Sequence, residues 1–110
     1  GLAQPAIYLK TDEWLSPENS AAGAALITHS SGAVYQVTIA GAAHFDFSDL
    51  PLFSPLSPLL GLSGSINSQR ALEIINSYVL AFLDQTLKGQ PAPLLTNDNT
   101  RFPEVTFEGP

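Results

Sequence analysis

The chain has 110 residues, a length that suits one small domain or a piece of a larger one. It is 45% hydrophobic and only 13% charged, against about 25% charged residues in an average globular chain, so we expect other protein to cover part of its surface. A net charge of −6 with four basic residues excludes the basic patches that bind nucleic acid or anionic membranes.

Cysteine usage and hydropathy narrow the class further. Cysteine is absent, which excludes disulfides and thiolate metal sites and leaves the cellular compartment unknown. The longest apolar stretches fall well short of the roughly 18 residues that a membrane span needs, and the first residues lack the features of a signal peptide. We therefore expect a soluble chain with no transmembrane segment.

The first predicted elements are a strand and a helix. The strand covers residues 6–10, which are mostly apolar and lie between a proline and a polar turn. The helix begins with a hydroxyl cap, Ser16, followed by Pro17 at the first helical position and an acid in the first turn. Its alanine-rich body extends to Thr28.

A second strand, rich in β-branched residues, is predicted at 35–39 and ends in a small-residue loop, 40–43. A strand, a helix and a second strand in this order form a βαβ unit with parallel strands. Two parallel strands do not form a stable domain by themselves. We therefore predict an α/β fold whose sheet continues in residues outside this chain.

Three further segments complete the chain. Residues 50–62 are rich in proline and leucine, and we expect short helical turns that pack against something. Residues 67–87 form the clearest helix, capped by Ser65 or Asn67 and ended by Gly89. Its apolar side chains recur with helical spacing at Ala71, Leu72, Ile75, Tyr78, Val79, Phe82 and Leu83. The segment 92–110 is predicted to be an extended tail.

His44 is the strongest candidate for a chemical role. It follows directly after the second strand, and reactive groups collect at the carboxyl ends of the strands in open parallel sheets. An imidazole titrates near neutrality and suits general base catalysis. The alternative is a histidine that only caps the loop through hydrogen bonds.

The motif around this histidine resembles a known family. The run Gly41-Ala42-Ala43-His44-Phe45-Asp46-Phe47-Ser48-Asp49, followed by a proline–leucine stretch and a long helix, is similar to the end of platelet-activating-factor acetylhydrolases. These enzymes have the α/β-hydrolase fold and carry a Gly-x-x-His motif followed closely by Phe-(Ser/Ala)-Asp. The resemblance covers roughly residues 5–87.

The resemblance implies a function and a fold position. It implies the C-terminal portion of an α/β-hydrolase, with the last two parallel strands and the terminal helices, in which His44 belongs to a Ser-His-Asp triad of a carboxylic-ester hydrolase. The nucleophile elbow, Gly-x-Ser-x-Gly, is missing, since residues 61–65 end in serine and follow no strand. We expect residues 1–110 to be a C-terminal fragment, inactive alone, whose partner is the upstream segment with the serine.

The triad acid has more than one candidate. Asp12 ends the first strand and lies 32 positions before His44, a spacing found in many α/β-hydrolases. The acetylhydrolase group places its acid one strand earlier, which makes the turn of Asp12 a pocket rim instead. For Asp46 and Asp49 we favour structural roles, as capping or solvated carboxylates.

Aromatic residues near the strand ends suggest a substrate pocket. Trp14, Phe45 and Phe47 are predicted to line a pocket for a small ester or a short-acyl lipid, since such pockets are mostly apolar. We expect no cofactor. We also expect no metal, because His29 and His44 lack the spacing and the clustered acids of a metal site.

Two other functions remain open. One is a non-catalytic α/β binding or interaction module that uses the apolar segment 50–62, since exposed apolar patches mark interfaces. The other is a dienelactone-hydrolase-like enzyme with Asp12 as its acid. Burial of residues 50–62 within the fold would count against the first, and substitution of Asp12 tests the second.

Overall fold

Two parallel strands joined by a helix form the first half of the fold, as predicted. The computed structural model describes residues 1–96 and 100–110. Strand β1 (Ala6–Thr11) and strand β2 (Val34–Ile39) pair in parallel along their whole length, and helix α1 (Pro17–Thr28) connects them. The βαβ unit is therefore confirmed, and the carboxyl ends of both strands lie at one edge of the sheet.

Helix α1 begins where its capping residues predict. The Ser16 hydroxyl accepts a hydrogen bond from the Asn19 N–H at 3.2 Å, and Pro17 occupies the first helical turn. The helix ends at the exposed residue His29. None of the α1 residues is buried, so α1 lies on the surface of the described fold.

Helix α2 (Ser68–Lys88) packs against the sheet and supplies three of the nine buried residues of the core cluster. The Asn67 side chain accepts a hydrogen bond from the Arg70 N–H at 3.1 Å, and Gly89 ends the helix with a left-handed φ of 64°. The predicted apolar positions 71, 75 and 78 are buried. Position 74 is also fully buried, because the helix presents a broad apolar face to β2.

The segment after α2 differs from the extended tail that the sequence suggests. Residues Pro93–Leu95 form a short 3-10 turn, and strand β3 (Val105–Glu108) pairs antiparallel with β2. The sheet order is therefore β1-β2-β3, with β2 in the centre. The physical reason is burial, since the Phe102 side chain is only 1% exposed and its ring centroid lies 6.1 Å from that of Tyr78.

The proline–leucine segment, residues 50–62, forms short turns as expected, including a 3-10 turn at Leu50–Phe53. It does not pack most of its apolar side chains against the rest of the described fold. Phe53 is 81% exposed and Leu59 is 84% exposed, whereas Pro51 and Ser57 are buried. The turns are therefore held by two inward residues while a row of leucines faces outward.

The hydrophobic core lies between β2 and α2. Val37 and Ile39 of β2 are fully buried and belong to one cluster with Ile74 and Tyr78 of α2. Among the described residues, no helix combines the length and the apolar character needed to cross a bilayer.

Candidate active site

His44 lies just beyond the carboxyl end of β2, where the sequence predicts it. A tight turn, residues 40–43, separates it from the strand, and Gly41 adopts a φ of +74° that side-chain-bearing residues disfavour. His44 then begins a 3-10 turn, His44–Phe47, and is exposed. The imidazole is therefore accessible at the sheet edge where both parallel strands end.

Asp12 lies next to the turn of residues 40–43, the histidine turn. Its carboxylate accepts a hydrogen bond from the backbone of this turn rather than from the imidazole of His44. Both carboxylate oxygens of Asp12 accept a hydrogen bond from the Gly41 N–H, at 3.1 and 3.2 Å. Within residues 1–96 and 100–110, no carboxylate forms a hydrogen bond with the imidazole of His44. Asp12 thus joins the end of β1 to the turn that precedes the histidine.

A second carboxylate, Asp46, holds the other end of the same turn. Its Oδ2 atom accepts hydrogen bonds from the Ala43 N–H and from the Gly64 N–H, both at 2.8 Å. Asp46 is only 1% exposed, so it is a capping carboxylate that the fold buries. Sequence reasoning grouped Asp46 with Asp49, and no local pattern distinguishes a buried cap from a solvated one.

Asp49 has a different environment from Asp46. It is exposed, and its side chain does not cap the turn that follows. The Ser48 hydroxyl accepts the hydrogen bond from the Leu50 N–H instead, at 3.3 Å. The side chains that accept capping hydrogen bonds from backbone N–H groups here are therefore those of Ser48 and Asp46, and not that of Asp49.

A cleft of about 500 Å³ opens beside the imidazole. The predicted pocket residues Trp14 and Phe47 line it together with His44. Phe45 does not line it, and its ring packs edge-on against the imidazole with centroids 5.4 Å apart. The remaining lining residues are Tyr8, Leu9, Lys10, Thr11 and Glu13.

Tyr8 is a cleft residue that sequence reasoning missed. Its hydroxyl accepts a hydrogen bond from the indole N–H of Trp14 at 2.9 Å, which fixes one aromatic wall. Side chains alternate between the two faces of a strand, so the sequence predicts that Tyr8 lies on the opposite face of β1 from Ile7 and Leu9. The alternation alone does not place Tyr8 in a pocket, because that also depends on the position of Trp14 in the folded chain.

The described residues contain only part of a hydrolytic site. No serine hydroxyl among them forms a hydrogen bond with His44. They also hold no group of three or more histidine, cysteine or acidic side chains arranged to bind a metal ion. The arrangement supplies an accessible imidazole that follows a tight turn, and beside it a cleft with three aromatic side chains in its lining.

Comparison with known proteins decides the family. A family model described as platelet-activating factor acetylhydrolase, isoform II, matches residues 1–98. The chain belongs to this family. The match includes the histidine motif, both parallel strands and both helices, and it confirms the resemblance inferred from the motif.

A solved structure supports the same fold. The chain is similar to a ferulic acid esterase from Streptomyces cinnamoneus, with 28% sequence identity and a TM-score of 0.82 over 97% of this chain. The chain spans 34% of the length of that esterase. The predicted fold class, a portion of an α/β-hydrolase, is therefore confirmed. A search of curated proteins found no match for this acetylhydrolase-family chain.

Proposed function

We propose that this chain is the C-terminal part of a serine carboxylic-ester hydrolase and that it supplies the general base, His44. The observation that carries the proposal is the place of the imidazole, exposed at the carboxyl ends of two parallel strands and beside an aromatic cleft. Membership of an acetylhydrolase family supports ester hydrolysis as the chemistry.

The mechanism uses a serine from an upstream segment of the same hydrolase. The serine oxygen attacks the ester carbonyl while His44 accepts the hydroxyl proton, and the tetrahedral intermediate collapses when His44 donates that proton to the leaving alcohol. His44 then accepts a proton from water as the water oxygen attacks the acyl-enzyme, and it returns that proton to the serine oxygen when the carboxylic acid is released. No cofactor takes part in these steps.

The cleft supports a small ester or a short-acyl lipid as the substrate class. Trp14, Tyr8 and Phe47 contribute aromatic surface, which suits an apolar acyl group next to the reacting carbonyl. The Trp14–Tyr8 hydrogen bond links the two rings that form one wall. Loss of that wall therefore affects substrate binding more than the chemical step.

The free edge of β1 supports an upstream partner segment. In the sheet order β1-β2-β3, one edge of β1 carries no strand among the described residues. An unpaired edge with apolar side chains such as Ile7 and Leu9 is a template for a further strand. We propose that the preceding strand of the hydrolase pairs here and that its neighbours carry the serine, the oxyanion hole and the triad acid.

The test replaces His44 in the complete hydrolase. We expect His44→Gln to lower kcat by about 10⁴-fold or more toward p-nitrophenyl acetate and toward a short-acyl phospholipid, because the nucleophile loses its base. His29→Gln is the matched control, since His29 is exposed at the end of α1, and it should keep wild-type activity. Near-normal kcat in His44→Gln would refute the proposal.

A second candidate function is a non-catalytic interaction module. It is supported by residues 50–62, whose exposed leucines and Phe53 form an apolar surface with no charged residue. A module of this kind must fold without an upstream segment. Cooperative unfolding of the isolated chain as a monomer would favour it over the hydrolase portion.

A further inference from the structure

Two carboxylates from different segments of the chain accept hydrogen bonds from the turn before His44. Asp12, at the end of β1, accepts the Gly41 N–H, and Asp46, two positions beyond the histidine, accepts the Ala43 N–H. The ordinary way to fix a turn is a hydrogen bond within it. Here the backbone donors on both sides of Ala42 bind charged acceptors, and such hydrogen bonds are roughly twice as strong as neutral ones.

Asp46 also ties this turn to a segment far along the chain. The same Oδ2 atom accepts the Gly64 N–H, 18 positions away. The two segments approach so closely that a Cβ at Gly64 would lie 2.0 Å from the Gly41 carbonyl oxygen. In addition, the Ile66 N–H donates to that carbonyl oxygen at 3.0 Å. The histidine turn thus rests on the backbone that leads into α2.

The burial of Asp46 shows that the fold tolerates a cost to keep this carboxylate. Asp46 is 1% exposed, and its Oδ1 atom has no hydrogen-bond partner among the described residues. A buried unpartnered oxygen destabilises a fold.

We propose that Asp46 is a positioning residue that fixes the orientation of His44 for proton transfer. The inference rests on the proposed function of His44. Asp46 does not touch the imidazole in the described hydrogen-bond network. It acts through the Ala43 N–H, directly before the histidine, and through Gly64, which sets the distance between the turn and the start of α2.

The side-chain geometry provides a conservative variant that separates position from charge. An asparagine at 46 places one oxygen where Oδ2 accepts both backbone hydrogen bonds, and its amide group takes the place of Oδ1. Asp46→Asn therefore keeps the two hydrogen bonds, loses the charge and places two N–H donors at the position of the unpartnered Oδ1. Asp46→Ala removes both hydrogen bonds and frees the turn.

The experiment compares these two variants in the complete hydrolase, at a temperature well below the melting point of each. We expect Asp46→Ala to lower kcat by about 10²-fold with KM within about twofold of wild type, because a displacement near 1 Å at a catalytic group costs about that much. We expect Asp46→Asn to keep kcat within about fivefold of wild type. Near-ultraviolet circular dichroism gives the folded fraction, so that kcat refers to folded molecules.

Gln85→Ala is the matched structural control. Gln85 donates a hydrogen bond to the Tyr35 hydroxyl at 2.7 Å and so links α2 to the start of β2, at the end remote from the histidine turn. It should lower the melting temperature and leave kcat and KM unchanged. A fall of kcat in Gln85→Ala equal to that in Asp46→Ala would assign both effects to general destabilisation and overturn the inference.

The outcomes distinguish this inference from the proposed function. Wild-type kcat in Asp46→Ala, with His44→Gln inactive in the same assay, would refute the positioning role and leave the catalytic histidine intact. Equal large losses in Asp46→Ala and Asp46→Asn would point to charge and also refute it. Full activity in His44→Gln would remove the proposed function and this inference together.

Discussion

The sequence makes Asp12 a candidate triad acid and gives Asp46 a structural role, but the fold uses both carboxylates to bind backbone N–H groups. Asp12 accepts the Gly41 N–H with both oxygens. A triad acid must instead accept the imidazole N–H, to hold the tautomer and stabilise the imidazolium. The geometry of Asp12 therefore favours a structural role beside the turn that precedes His44.

Substitution of Asp12 separates these roles. We expect Asp12→Asn in the complete hydrolase to lower kcat by less than about tenfold, because an asparagine oxygen still accepts the Gly41 N–H. An isosteric loss of the triad acid costs about 10⁴-fold in kcat. Steady-state kinetics with p-nitrophenyl acetate measure the difference, and a loss near 10⁴-fold would make Asp12 the acid of a dienelactone-hydrolase-like enzyme.

At the scale of elements, the position of β3 depends on contacts with β2 and α2, which lie elsewhere in the chain. Its strand pairs with β2, and the Phe107 ring stacks on that of Tyr78 with centroids 6.0 Å apart. Phe102, just before β3, packs against the same tyrosine, and the guanidinium groups of Arg70 and Arg101 each lie 4.8 Å from its ring centre. This buried ring therefore anchors the final strand.

Removal of the Phe102 ring tests this anchor. We expect Phe102→Ala to lower the free energy of unfolding of the complete hydrolase by about 3–5 kcal/mol, the usual cost of a buried aromatic deletion. Gln90→Ala, at an exposed polar side chain beyond α2, is the control and should change it by less than about 0.5 kcal/mol. Urea unfolding measures both, and equal small effects would show that β3 is not anchored through this ring.

The ion pair between Arg70 and Glu104, next to Phe102, makes the stability of the fold depend on pH. Arg70 donates two hydrogen bonds to the Glu104 carboxylate, at 2.9 and 3.1 Å, and joins the start of α2 to the segment before β3. The hydrogen bond from Arg70 lowers the pKa of Glu104 below its ordinary value of 4.5, and the same bond raises the pKa of Arg70. The two side chains are partly exposed, so the effect is modest.

The sign of this dependence follows from the lowered pKa of Glu104. Its contribution to stability is fully present above pH 4.5 and is lost as the pH falls through the lower folded value. We expect the difference in melting temperature between wild type and Glu104→Gln to be constant near neutrality and to shrink in acid. Thermal melts from about pH 3 to about pH 8 measure it. A difference that persists unchanged in acid would contradict the prediction, and Glu18→Gln on α1 is the control.

At the scale of the whole molecule, the described fold exposes more surface than its mass predicts. Its accessible surface is 6621 Å², whereas a compact monomer of 11.7 kDa exposes roughly 5,900 Å². Its radius of gyration is 14.5 Å, against roughly 13 Å for a compact domain of this length. Fifteen large apolar side chains are exposed among the described residues. These features are the ones expected if the proposed upstream segment covers part of this surface.

The isolated chain tests that interpretation. We expect it to self-associate, because β1 has an open edge and α1 has no buried residue. We also expect no hydrolysis of p-nitrophenyl acetate above that of free imidazole, because the proposed nucleophile belongs to the upstream segment. Sedimentation velocity and the ester assay measure both properties. A monomer that unfolds cooperatively would instead favour the interaction module.

Much of the fold was predictable because its signals are local. The cap at Ser16 and the stop at Gly89 act within one helical turn. The sequence therefore predicts the start of α1 and the end of α2 to within a residue or two. β-Branched residues identify β2, and the small residues after it place His44 at the sheet edge. The motif around His44 indicates the family through its residue types and their spacing alone.

The tertiary structure decided what depends on distant partners. The pairing of β3 with β2 and the burial of Asp46 against Gly64 join segments that are far apart along the chain. The preference of Asp12 for a backbone N–H rather than an imidazole is of the same kind. By itself, the sequence determined the βαβ order, the helix ends and the candidate histidine, because caps and periodicity act over a few residues. Only the tertiary structure decided which carboxylate holds the histidine turn, because burial and hydrogen-bond partners are properties of the assembled chain.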